Sequence, residues 1–158
     1  KQWEESVNKF NLLKVRTVNL RIGIVLMKKG GALEKMAQPF RLGLGSALAS
    51  GKQVIPWIHV KDLNNIILEA ICNSSMQGPY NCCSPETTNN LEFSKTLAKT
   101  LRKKIWLPNA PAWILWMVLG KRAILLTEGS GVSAQKLLHT GFQFTYPQLE
   151  AALSDLLL

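Results

Sequence analysis

The sequence predicts an α/β fold: the last part of a parallel sheet carrying a small, mostly helical domain. Three observations lead there. Residues 14–26, KVRTVNLRIGIVL, are dense in Val, Ile and Leu, as strands buried inside parallel sheets are. GPYN at residues 78–81 is a second short strand that runs into a turn. Beyond residue 87 the apolar spacing is helical almost to the end. Strand–helix steps followed by a helical tail describe an incomplete α/β sheet with a helical cap. Two parallel strands are too few to be stable alone, so a missing partner is expected: an absent N-terminal half or another chain covering the sheet edge.

The elements follow in order. Trp3, Val7 and Phe10 share one side of an opening helix, and the chain begins in mid-helix without methionine, as a fragment would. Val18, Leu20, Ile22 and Ile24 alternate in the first strand. KKGG breaks it. Leu33, Met36, Ala37 and Phe40 then define a helix face that Pro39 limits or kinks. RLGLGSALASGKQ is an irregular surface loop. VIPWIHV is a short strand pair interrupted by Pro56. In the helix behind it, Leu63, Ile66, Ile67, Ala70 and Ile71 form a stripe, with Asp62 as N-cap. Asn89 and Glu92 have capping-box spacing ahead of Phe93, Leu97 and Leu101. Residues 103–111 are extended and proline-bounded. Helices are expected over 112–119 and 122–127. Ser133 is placed to cap the next, with Gly141 past its end. The last helix starts near Pro147 and buries Leu149, Ala152, Leu153, Leu156 and Leu157.

The 158 residues are 47% hydrophobic and 18% charged, which excludes a disordered chain. The net charge of +9 suits an acidic partner, but the basic residues are scattered and the longest clusters are pairs such as Lys103-Lys104. Nucleic acid is therefore not expected, although a non-catalytic basic module stands as the alternative reading. The three cysteines, Cys72, Cys82 and Cys83, show no metal-ligand spacing; they read as free thiols of a reducing, cytoplasmic setting. The apolar run 113–119 is far too short to cross a membrane.

No Gly-x-Gly-x-x-Gly, Walker A, Gly-x-Ser-x-Gly or His-Glu-x-x-His motif occurs. Residues 128–133, EGSGVS, could hold an anion ahead of a helix, against an ordinary inter-helix turn. His59 has the chemistry of a general base but no nucleophile at a suggestive spacing, and the nearest carboxylate, Asp62, is taken as the cap. His139 suits a helix C-terminus. Most of the five tryptophans read as core, with Trp57 beside the glycine-rich loop a candidate pocket wall.

Taken together, RIGIVL, the Gly30-Gly31 pair, Pro39-Phe40-Arg41, Gly43, Gly45, the run Pro56-Trp57-Ile58-His59, Asp62, GPYN and the C-terminal YPQLEAALSDLL resemble one family. The chain resembles the C-terminal half of NAD(P)-dependent epimerase/dehydratase-like proteins of the extended short-chain dehydrogenase/reductase superfamily, in the YfcH-like subfamily. The resemblance runs from Trp3 to Leu157. It implies the last elements of a Rossmann fold (residues 1–30 and 76–86) and a substrate-binding, helical cap part (31–75 and 87–158). It implies NADP or NAD as cofactor of the parent protein, a small-molecule substrate and an open edge that a dimer could use. The family's cofactor glycine loop and catalytic Tyr/Lys pair have no counterpart here, so the resemblance assigns no catalytic residue to this chain and implies an inactive fragment. Arg21, Ile22, Gly23, Ile24 and Val25 match the strand end that approaches the nicotinamide side of the cofactor. Phe40, Arg41, Gly43 and Gly45, with Gln53, Trp57 and His59, match the substrate wall. Where the family's sugar-nucleotide enzymes place an arginine that grips a diphosphate, this chain has Ile55, which implies a less charged substrate. For His59 the resemblance implies an interior place close to the pocket, without a proton-transfer role.

Overall fold

The computed structural model describes residues 7, 10, 13–109 and 132–158. Nine elements are placed there: β1 (Val18–Ile22), β2 (Ile24–Leu26), α1 (Gly31–Arg41), β3 (Trp57–His59), α2 (Val60–Cys72), β4 (Gly78–Cys82), α3 (Asn90–Thr100), α4 (Gln135–Leu138) and α5 (Leu149–Leu157). The expected helices over 112–119 and 122–127 lie outside the described residues, as does the opening helix apart from Val7 and Phe10.

The long first strand is in fact two. β1 pairs in parallel with β4, Val18 opposite Gly78 and Ile22 opposite Cys82. β2 pairs in parallel with β3, Ile24 opposite Trp57 and Leu26 opposite His59. The chain changes partners at Gly23, whose N–H donates to the Cys82 carbonyl at 3.1 Å while the next N–H, that of Ile24, donates to the Pro56 carbonyl at 2.7 Å. A Cβ on Gly23 would sit 2.5 Å from the Pro56 carbonyl oxygen, so only glycine lets the three backbones meet. The change of sheet thus falls at Gly23, inside the run that the sequence presents as one strand. β1 is also less buried than its composition predicts. Its residues are half-buried, and Arg21 and Ile22 are exposed, because β4 covers one edge and no described strand pairs with the other.

Two apolar clusters follow from this split. One gathers Leu26, Leu33, Ala37, Phe40, Ile55, Trp57, Phe93 and Leu97 against Leu149, Leu153 and Leu156 of α5. The other joins Ile58, Leu63, Ile66, Met76, Tyr80 and Leu137, flanked by Val18, Leu20, Phe142 and Phe144. VIPWIHV supplies only β3; Val54 forms an isolated antiparallel bridge to Asn89.

Helix caps are partly as expected. Asn89 and Glu92 form the reciprocal capping box of α3. The cap of α2, however, is His59 and not Asp62: the Lys61 N–H donates to His59 Nδ1 at 3.0 Å. Ser133 stands one residue before the N-cap of α4, Ala134, and its hydroxyl accepts the Gln135 N–H at 3.2 Å. Within the α2 stripe, Leu63, Ile66 and Ala70 are buried, whereas Ile67 and Ile71 are exposed beside β1. At the far end of α2, the Arg16 guanidinium donates to the carbonyls of Ala70 at 2.8 Å and Ile71 at 3.2 Å, and also to those of Asn73 and Met76. A cation here answers both the unpaired carbonyls and the negative end of the helix dipole.

Candidate functional site

An open cleft of about 600 Å³ lies beyond the carboxyl ends of β1 and β4. Its described lining is Arg21, Ile22 and Gly23 from the β1 end, Pro56 before β3, Asn81 and Cys83 from the β4 end, and Val132 and Ser133 before α4. In open α/β sheets ligands bind outside the carboxyl ends of strands, where the chain changes direction across the sheet. Gly23 is such a place. Its backbone lines the cleft, with the Pro56 carbonyl filling the place a side chain would take.

The remaining predicted residues fall elsewhere. Ile24 and Val25 continue into β2 and pack against the two clusters. Phe40 is in the core, and Gly45 lies flat on its ring, where a Cβ would clash. Arg41 is exposed at the end of α1. The Gly43 carbonyl accepts the indole N–H of Trp106 at 3.0 Å. Gln53 Nε2 donates to the Leu48 carbonyl at 3.0 Å, and its Oε1 is buried without a partner among the described residues. Trp57 is fully buried, its indole N–H donating to Thr88 Oγ1 at 3.2 Å. Trp57 therefore does not line the cleft.

His59 is buried too, and faces α5. Its Nδ1 accepts the cap bond from Lys61, so the ring proton is on Nε2, which donates to Asp155 Oδ2 at 3.2 Å. Its ring stacks on Tyr146 with centroids 4.0 Å apart, and the Tyr146 hydroxyl donates to the other Asp155 oxygen at 2.8 Å. That hydroxyl, and next to it His59 and Lys61, hold the Asp155 carboxyl below its usual range. The same bond pushes the Tyr146 phenol up. Asp62 is fully buried and accepts the backbone N–H groups of Thr145 at 2.7 Å and Tyr146 at 2.9 Å. His59 and Asp62 thus lock the C-terminal segment to the β3–α2 corner, and neither reaches the cleft.

Sequence reasoning missed Pro56, Asn81 and Cys83 as cleft residues, and saw Val132 and Ser133 only within the EGSGVS stretch ahead of a helix and Ser133 as a cap. Asn81 carried a weak signal, being a polar residue in a short strand. Cys83 is buried at the cleft's edge, its thiol pushed up by burial; burial, with the neighbouring Cys83, pushes Cys82 to about 11. Neither thiol is an activated nucleophile. No group of metal-ligating side chains occurs among the described residues.

Comparison with known proteins adds relatives and solved structures of like fold. DUF1731, a domain of unknown function, matches residues 110–156. The mouse epimerase family protein SDR39U1 is 43% identical over 141 residues, covering 89% of this chain and 48% of its own length. The crystal structure of human epimerase family protein SDR39U1 (isoform 2) with NADPH superposes with a TM-score of 0.84 at 37% identity, over 95% of this chain and 53% of that one. The chain is related to the C-terminal part of epimerase family proteins of the extended short-chain dehydrogenase/reductase type. It spans about half the length of the curated epimerase family proteins it matches. More distant epimerases share the fold alone. The UDP-glucose 4-epimerase of Thermus thermophilus, in complex with NAD, is 18% identical with a TM-score of 0.69, over 97% of this chain and 49% of that one. The α/β, Rossmann-like class predicted from sequence is the class observed.

Proposed function

We propose that this chain is the substrate-side portion of an NADP(H)-dependent epimerase or oxidoreductase of the YfcH-like subfamily, and that its cleft takes the nicotinamide end of the cofactor. The observation that carries the reading is the match, at 37% identity over 95% of the chain, to a protein whose crystal structure is described as containing NADPH. The cleft suits such a group: it opens at the ends of parallel strands, and the Gly23 backbone lines it. Arg21, Ile22 and Gly23 would hold the nicotinamide end, and Asn81 and Ser133 would face it. The nicotinamide supplies the hydride chemistry when bound. This chain's own residues bind and orient it and shield it from water.

The substrate we infer is a small molecule less charged than a nucleotide sugar. Ile55, at the place of the diphosphate-gripping arginine, is buried in the core and offers an anion nothing. The partner is an N-terminal half that supplies the cofactor's glycine loop and pairs along the edge of β1 that no described strand covers. The exposed Ile22, Ile67 and Ile71 beside that edge support this reading. So does the partial burial of β1, in a parallel pair of a kind ordinarily covered on both faces. The unbridged thiols favour the cytoplasm, and no described helix is long and apolar enough to cross a membrane.

The test is an NADPH titration followed by backbone amide shifts, with a turnover assay over alcohols and nucleotide sugars. Shifts should concentrate at Arg21, Gly23 and Asn81, and the 158-residue chain should show no turnover. Shifts confined to other surfaces, or robust turnover by this chain alone, would overturn the reading.

A further inference from the structure

His59 ends β3 and caps α2, and both nitrogens of its ring are engaged. Nδ1 accepts the Lys61 N–H at 3.0 Å, which an imidazole nitrogen does only while it carries no proton. Nε2, which then holds the ring proton, donates to Asp155 Oδ2 of α5 at 3.2 Å. The ring is 3% exposed and stacks on Tyr146 with centroids 4.0 Å apart, so it has little room to turn away from either partner. A helix start is ordinarily capped by Asn, Ser or Thr, whose oxygens accept without titrating. A histidine there makes the cap depend on its proton.

The two bonds answer a second proton in opposite ways. A proton on Nδ1 sets two donors face to face at the α2 cap, and it puts a positive charge at the positive end of the helix dipole. The same proton turns the Nε2 bond to Asp155 into an ion pair and strengthens it. The ionisable groups gathered about the ring are Lys61 and Asp62 of α2, Tyr146 of the segment ahead of α5, and Asp155 of α5. Across the sheet, β2 presents Leu26, which carries no charge. Asp62 is already spent on the Thr145 and Tyr146 N–H groups, and Lys61 Nζ stands 5.9 Å above the Tyr146 ring. Asp155 is thus the group that takes up the change of charge. We propose that His59 is a proton-operated switch at the β3–α2 corner: on gaining a second proton it releases the N-terminus of α2 and grips α5 more firmly. The switch stands whatever the cleft binds.

The test is a pH titration of the 158-residue chain labelled with nitrogen-15. The ring nitrogen shifts report when His59 gains its second proton, and the nitrogen–nitrogen coupling across the Lys61–His59 hydrogen bond reports the cap itself. At the alkaline end the shifts should show Nε2 protonated and Nδ1 bare, with the coupling present. As the ring takes its second proton the coupling should vanish, and exchange protection of the Lys61 amide should fall by roughly 3–10-fold, the loss of one neutral hydrogen bond. Protection across α5 should hold or rise over the same range. In His59→Asn, whose side chain accepts without titrating, Lys61 protection should stay level there. A coupling that persists after the ring is doubly protonated, or Nδ1 protonated at the alkaline end, would overturn the switch. So would an α5 that loosens in step with the ring's titration, or a His59→Asn chain whose Lys61 protection falls as the wild type's does.

Discussion

Asp62 shows how much one residue can decide. A carboxylate with no exposure is costly unless it is fully bonded. Here it accepts two backbone N–H groups, from Thr145 and Tyr146, that would otherwise lack partners. Asp62→Asn removes the charge and replaces one acceptor oxygen with a donor that faces another donor. We expect a loss of about 2–3 kcal/mol, from charge-assisted hydrogen bonds worth roughly 1.5–3 kcal/mol. Denaturant unfolding of the two proteins measures it, and an unchanged midpoint would refute the role. The sequence could not show this bond, because its partners stand 83 and 84 residues away. The local pattern offered only a helix start, and Asp beside a helix start reads as a cap. His59 took that place because its Nδ1 lies within reach of the Lys61 N–H.

Among elements, the helices were the legible part. Periodicity in α1, α3 and α5 predicted their buried faces, and the Asn89–Glu92 spacing gave its capping box. The strands were less so. A lone glycine in an alternating run looks like a weak spot in one strand, and only the nearby Pro56 carbonyl explains why Gly23 divides two. The start of α5 was placed to within two residues, but its cap was hidden: the Leu149 N–H is met by Glu86 Oε2 at 2.6 Å, from 63 residues away. Of the cleft, Arg21, Ile22 and Gly23 were named from a resemblance. The opposite wall went unseen because only folding brings residues 132–133 to β4.

α5 is also tied by Asp155 to His59 and Tyr146, and this tie depends on pH. Asp155 is held below its ordinary value, first by the Tyr146 hydroxyl. A carboxyl lowered in the folded state stabilises the fold above its unfolded value, about 3.9. That contribution is lost as pH falls through the lower, folded value. In Tyr146→Phe the Asp155 titration should move up towards the ordinary range, and acid loosening of α5 should begin at a higher pH. Carbon-detected NMR titration of the Asp155 carboxyl would show it; superimposable curves for the two proteins would contradict it.

On the scale of the whole molecule, the edge of β1 that no described strand covers governs behaviour in solution. No described strand pairs with the second edge of β1, and Ile67 and Ile71 beside it, exposed by 37% and 67%, offer an apolar surface to another strand. The isolated chain should therefore self-associate with rising concentration. Ile67→Lys with Ile71→Lys should return it to a monomer, with the helical signal kept. Sedimentation velocity reads the outcome, and a wild-type chain that stays monomeric at high concentration would show that the edge is already covered.

Arg16 ties that edge to the end of α2 through four carbonyls. A guanidinium so engaged is a poor site for trypsin, which needs an arginine on a pliable stretch of chain. Nicking at Arg16 thus becomes a clock for the moment when the helix end lets go of the strand, and it gives a chemical handle on how this corner comes apart.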